Sequence, residues 1–78
     1  MTTRTRSILA ILATYGPLPV GRLMAKADCG RNIVLAELWR LRIKGWIRRT
    51  SHYEYELTAY GRVRAMMVGA VAVLQEQH

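Results

Sequence analysis

The cysteine and histidine residues of this chain are Cys29, His52 and His78, and their spacing forms no CxxC or HxxxH pair that would hold a metal. Cys29 has no sequence-adjacent base to make it a nucleophile, and a single thiol excludes a disulfide framework. Serine, histidine and aspartate occur, but no motif arranges them for catalysis. Gly61 and Gly69 are isolated, so no glycine-rich loop cradles a phosphate. Nothing calls for a cofactor, and an enzyme is not expected.

What remains is the chemistry of cations. Lys and Arg number 12 against 5 Asp and Glu, a formal charge of +7. Residues 1–49 hold ten basic and two acidic side chains, a net of +8; residues 50–78 hold two and three, a net of −1. A basic first part and a near-neutral remainder is the layout of a chain that meets a polyanion with one part of itself. The first nineteen residues carry arginines and then an apolar stretch, as a signal peptide does. That stretch is short and broken by Thr14 and Tyr15, so a core helix is predicted. The run from 65 to 74 is apolar throughout. It is half of the roughly 20 residues that span a bilayer, so no membrane contact is expected. The lone thiol fits a reducing, cytoplasmic compartment.

The elements that would position these cations follow from periodicity. Ile8, Ile11, Leu12 and Tyr15, flanked by Leu9, predict an inward face on a helix over residues 4–15. Gly16 ends it and Pro17 and Pro19 prevent its continuation. A short helix over 20–27 turns Leu23 and Met24 inward. Asp28-Cys29-Gly30 makes the break, with Gly30 supplying the freedom of a tight turn and Cys29 a small buried hydrophobe. Val34, Leu38 and Leu41 form one face of a helix over 31–44, which Gly45 ends. The period then drops to two. A strand over 46–49, a polar turn Thr50-Ser51-His52 and an alternating strand over 53–57 make a hairpin. A last helix starts at 59 or 60, capped by Thr58, and runs to 75. The predicted class is mainly α with a small β-hairpin, in the order helix, helix, helix, hairpin, helix. Residues 1–78 are expected to form one domain, with a core over about 4–64.

Two helices joined by a tight turn and followed by a hairpin resemble the winged helix-turn-helix DNA-binding domains of bacterial and archaeal regulators, including those of phages and plasmids. The segment LWRLRIKGWIRR, from Leu38 to Arg49, is similar to the end of that family's recognition helix and its entry into the wing. YELTAYGR, from Tyr55 to Arg62, is similar to its passage from wing to C-terminal helix. ILAILATYGPLPVGRLMAKAD is similar to its first two helices. The resemblance covers about residues 7–64.

It implies double-stranded DNA as the partner. Arg31 and Asn32 open the third helix, where the family approaches base edges: Arg pairs with guanine and Asn with adenine. Arg48, Arg49, Ser51 and His52 on the wing would hold phosphates, and Arg4 and Arg6 would add backbone contacts. Arg40, Arg42 and Lys44 form a basic flank. With Val34, Leu38 and Leu41 inward, the opposite face carries Asn32, Ala36, Trp39, Arg40 and Ile43. Ala36 suits a thymine methyl, whereas Trp39 and Ile43 are not expected to read bases. Trp39 and Ile43 either pack under the wing strands or first helix, the preferred reading, or anchor a protein partner. A small phage-type inhibitor or adaptor built on this fold is therefore an alternative to a regulator, as is nonspecific nucleoid binding.

A helix apolar all round must be covered all round. The last helix is therefore expected to dimerise the chain through Ala65, Met66, Gly69, Ala70, Val71, Ala72 and Val73. Small residues at 65, 69 and 72 would permit close approach of a two-fold partner. Met24, Met66 and Met67 would fill core or interface.

Overall fold

The computed structural model describes residues 2–67. The chain runs α1 (Thr3–Tyr15), β1 (Leu18–Pro19), α2 (Val20–Ala27), α3 (Arg31–Ile43), β2 (Ile47–Arg49), β3 (Glu54–Leu57) and α4 (Ala59–Met67). The predicted order of helices and hairpin holds. The extension of the last helix to 75, and with it Gly69, Ala70, Val71, Ala72 and Val73, lies outside the described residues.

The chain adds β1 to the predicted hairpin. The sheet is antiparallel in the order β1-β3-β2, with Leu18 opposite Tyr55 and Pro19 opposite Glu54. Two residues that include a proline carry no strand period, and Pro19 lacks the N–H of a ladder donor. An edge strand tolerates that loss. In β3, Tyr55 and Leu57 point into the core while Glu54 and Glu56 stay half-exposed. Tyr53, predicted as the first residue of that strand, is exposed instead and takes φ +59°. Thr50 organises the turn before it. Its hydroxyl accepts from the N–H groups of His52 at 3.2 Å and Glu54 at 3.3 Å, an arrangement that lets Tyr53 bulge outward.

α1 is the central helix. Thr2 caps it, its hydroxyl accepting from the Thr5 N–H at 3.2 Å. Residues Ile8 through Leu12 are all buried, because neighbours cover this stretch on every side. Gly16 ends the helix at φ +78° with its N–H on the Leu12 carbonyl. Tyr15 was expected inward; it is half-exposed beyond the edge of the core, with the Lys26 ammonium 3.8 Å from its ring centre. The remaining fully buried large side chains are Leu23, Val34, Leu38 and Leu41, from α2 and α3. Each stabilises the fold by about 1.5–3 kcal/mol relative to exposure.

The break between α2 and α3 departs from expectation in one detail. Asp28 takes the left-handed conformation, φ +53° and ψ +46°, whereas Gly30 is extended at φ −69°. Aspartate is among the few side chains that visit that region without glycine's help. Cys29 is half-buried, and its thiol donates to the Ala27 carbonyl at 3.3 Å.

One junction locks α3, the wing and α4 together. Gly45 turns the chain at φ +76°. The Thr58 hydroxyl donates to the Gly45 carbonyl at 2.6 Å and accepts from the Gly61 N–H at 3.0 Å, as expected of an N-cap. The Thr58 N–H donates to the Trp46 carbonyl at 3.0 Å. Gly61 sits so close to that carbonyl that an added Cβ would lie 1.8 Å from its oxygen. The isolated glycine of the sequence is a point of backbone approach.

Candidate nucleic-acid interface

α3 buries one face and presents the other. Val34, Leu38 and Leu41 face the core as predicted. Glu37 joins them at 5% exposure, a buried carboxylate that periodicity did not anticipate. It accepts from the Thr5 hydroxyl of α1 at 2.9 Å and faces Arg40 at 3.6 Å. A buried charge requires such partners. The only acidic residue of α3 is thus turned inward, so its outer face is left with cations, apolar groups and the amide of Asn32.

Arg31 and Asn32 are exposed at the start of α3, after the extended Gly30, where no side chain caps the helix. Unsatisfied N–H groups at such an end favour an anion. Arg49 of β2 shares a surface depression with Arg31, lined also by Val20, Leu35, Tyr53 and Tyr55. Two elements that the sequence treated separately are therefore joined at one groove. The Arg49 guanidinium lies 5.3 Å from the Tyr53 ring centre, which orients it. The outward bulge of Tyr53 creates this contact, and no period marked it.

Arg48 differs. Its Nε donates to the Glu56 carboxylate at 2.6 Å across the β2–β3 pair, so part of its charge is spent within the wing. Ser51 and His52 are exposed at the wing tip. At the wing's root, Trp46 lies between Lys44 at 4.9 Å and Arg64 at 5.0 Å from its ring. Arg4 and Arg6 fall inside α1; both are exposed, and Arg4 lies beside Ala27 and Cys29 at the helix-turn-helix break. Ala36 is exposed on the outer face of α3, and the Arg40 side chain remains largely in solvent despite its contact with Glu37.

The preferred burial of Trp39 and Ile43 does not occur: Trp39 is 62% exposed and Ile43 69%. The wing descends along the Arg31–Leu35 side of α3 and the first helix packs on its inner face, so neither reaches these two side chains. α4 brings a second correction. Ala65 is buried against the chain's own core, which removes it from an outward-facing stripe of small residues. Its neighbours Met66 and Met67 are exposed, together with Tyr60 and Val63. Among the described residues no group of three His, Cys, Asp or Glu side chains could hold a metal ion, and no helix is long and apolar enough to cross a membrane.

Helices α2 and α3 across a tight turn, followed by a hairpin and a further helix, make this a winged helix-turn-helix domain. Solved structures of MarR-family proteins share its fold. A MarR-family protein of Mycobacterium tuberculosis superposes with a TM-score of 0.82 at 25% identity, over 99% of this chain and 58% of that one. The same protein in complex with DNA gives 0.81 at 22% identity, over 97% and 59%. A MarR-family transcriptional regulator from Silicibacter pomeroyi gives 0.83 at 19% identity, over 99% and 57%. The chain therefore spans rather more than half the length of these structural relatives. No family model matches it, and no curated protein matches it in sequence.

Proposed function

We propose that this chain binds double-stranded DNA sequence-specifically, as one winged-helix unit in a dimeric transcriptional regulator. The observation that carries the reading is the groove shared by Arg31 of α3 and Arg49 of the wing. A helix in the major groove needs a cation at its N-terminal end and another on the flanking backbone, and these two residues supply them at one place. Arg31 and Asn32 would meet base edges. Arg49, Ser51 and His52 would hold phosphates, with Arg48 contributing less because Glu56 competes for it. Arg40, Arg4 and Arg6 would add to the positive field. The structural relative bound to DNA supports the same reading. A protein of this kind acts where the chromosome is, in the cytoplasm.

The dimer rests on the exposed apolar side of α4, with Met66 and Met67 more than two-thirds uncovered. A second copy related by a two-fold axis would cover it and place two α3 helices for two half-sites. Selection of bound sites from a random duplex library tests both parts. An enriched palindrome is the expected result; retention of all sequences alike would leave nonspecific nucleoid-type binding instead. Failure to retain any duplex at physiological salt would overturn the DNA-binding reading.

A further inference from the structure

The central part of the outer face of α3, beyond Asn32, is poor in hydrogen-bond donors. Ala36 and Ile43 lie directly opposite the buried Val34, Leu38 and Leu41, with Trp39 beside them. All three are exposed, and Trp39 and Ile43 are the large apolar groups of this strip. Around the strip stand Arg31, Arg40 and Arg42, all exposed, while Glu37 is turned into the core. An apolar strip in a cationic rim without an outward carboxylate is a poor match for the mixed charge of most protein surfaces. It does match a surface whose floor is apolar and whose walls are anionic. The major groove of thymine-containing DNA is such a surface, with 5-methyl groups on the floor and phosphates on both sides.

We propose that Ala36, Trp39 and Ile43 form a thymine-methyl-reading strip, so that the centre and C-terminal half of α3 select sequence by apolar contact rather than by hydrogen bonds. The inference deepens the DNA-binding reading and rests on it. From Asn32 to Ile43 an α-helix advances about 16 Å, and a major groove about 12 Å wide admits its width. Asn32 and Arg31 would read their bases by hydrogen bonds at one end, and the strip would read methyls over the rest. The indole N–H of Trp39 is a lone donor that the O4 of the same thymine can accept.

The test uses the full chain and duplexes taken from the selected site, with thymine replaced by deoxyuridine at single positions. The replacement removes only the 5-methyl group and leaves Watson–Crick pairing intact. Wild-type affinity is expected to fall about fourfold for each methyl that touches the strip, the effect of withdrawing one buried methyl-sized group. In Ile43→Ala and Trp39→Ala, thymine and uracil duplexes should bind alike at the positions those side chains cover. Both residues are exposed, so these variants should keep the wild-type circular dichroism spectrum and melting temperature. Equal affinity of the wild type for thymine and uracil at every position would overturn the strip while leaving DNA binding in place. A loss that persists undiminished in both variants would also overturn it, because the methyl would then act through DNA shape. Absence of any duplex binding would overturn the parent reading itself.

Discussion

Among the described residues, α3 and α4 each expose several large apolar side chains, and their surroundings differ. On α3, Ile33, Trp39 and Ile43 stand among Arg31, Arg40 and Arg42. On α4, Tyr60, Val63, Met66 and Met67 stand together, with Arg62 and Arg64 the only charges among its described residues and Arg64 drawn against Trp46. The apolar area is comparable in kind; the electrostatic frame is not. A cationic rim suits a polyanion. A broad apolar side with few charges suits a second protein surface, since charged residues are depleted at interface centres. Exposure by itself therefore does not name a partner. The charges around an apolar group do.

The largest expected effect comes from placing a charge on the α4 side. Val63→Arg or Met66→Arg should leave each protomer folded, since both side chains are solvent-exposed within one chain. It should yield monomers in sedimentation equilibrium. Binding to a palindromic site should then weaken about 100-fold or more, because the second half-site no longer binds intramolecularly. A wild-type mass near 8.9 kDa would end the dimer reading, and a wild-type dimer left intact by both substitutions would break the contrast between the two helices.

Next come changes at the α3 end of the contrast. Arg31→Ala or Asn32→Ala should cost about 1–3 kcal/mol on the preferred site, read as a loss of affinity in a titration, and much less on random DNA. An equal loss on every sequence would reduce Arg31 to a phosphate contact.

Gly61→Ala affects both helices at once, because the junction of α3, wing and α4 closes on the Trp46 carbonyl. The backbone must shift to admit the methyl group, and such overpacking costs about 1–3 kcal/mol. A lower urea midpoint without a change in slope is the expected reading. A neutral substitution would mean that α4 moves freely relative to the wing.

The smallest effects separate the two wing arginines. Arg49→Ala should make the salt dependence of binding shallower by about 0.9 in log K against log salt, the contribution of one phosphate contact. Arg48→Ala should change it less, because Glu56 already holds that guanidinium at 2.6 Å. Glu56→Gln should bring the two closer together by releasing Arg48. If Arg48→Ala and Arg49→Ala weaken binding equally in the wild-type background, the Arg48–Glu56 pair opens on DNA.

Much of this arrangement was legible in the residues. The 3.6-residue period of Val34, Leu38 and Leu41, the stops at Gly16 and Gly45, and the Thr58 cap are local signals, and each reappears in the structure. Local signals exist because a turn or helix end involves residues a few positions apart, whose φ and ψ the side chains bias directly. The basic character of the first part of the chain is a matter of counting and required no geometry.

Other features were settled by residues far apart in the chain meeting in space. β1 exists because β3 pairs with it, although Leu18 and Pro19 have no strand period of their own. Glu37 is buried because Thr5 of α1 arrives at its carboxylate. The same periodicity that placed Trp39 and Ile43 opposite the core could not tell whether another element covers them. Packing decides that, and here no described element does. Arg48 and Arg49 are adjacent in sequence and equal in charge. They part company because a strand alternates its side chains, so one meets Glu56 and the other meets Tyr53 and the groove beside Arg31.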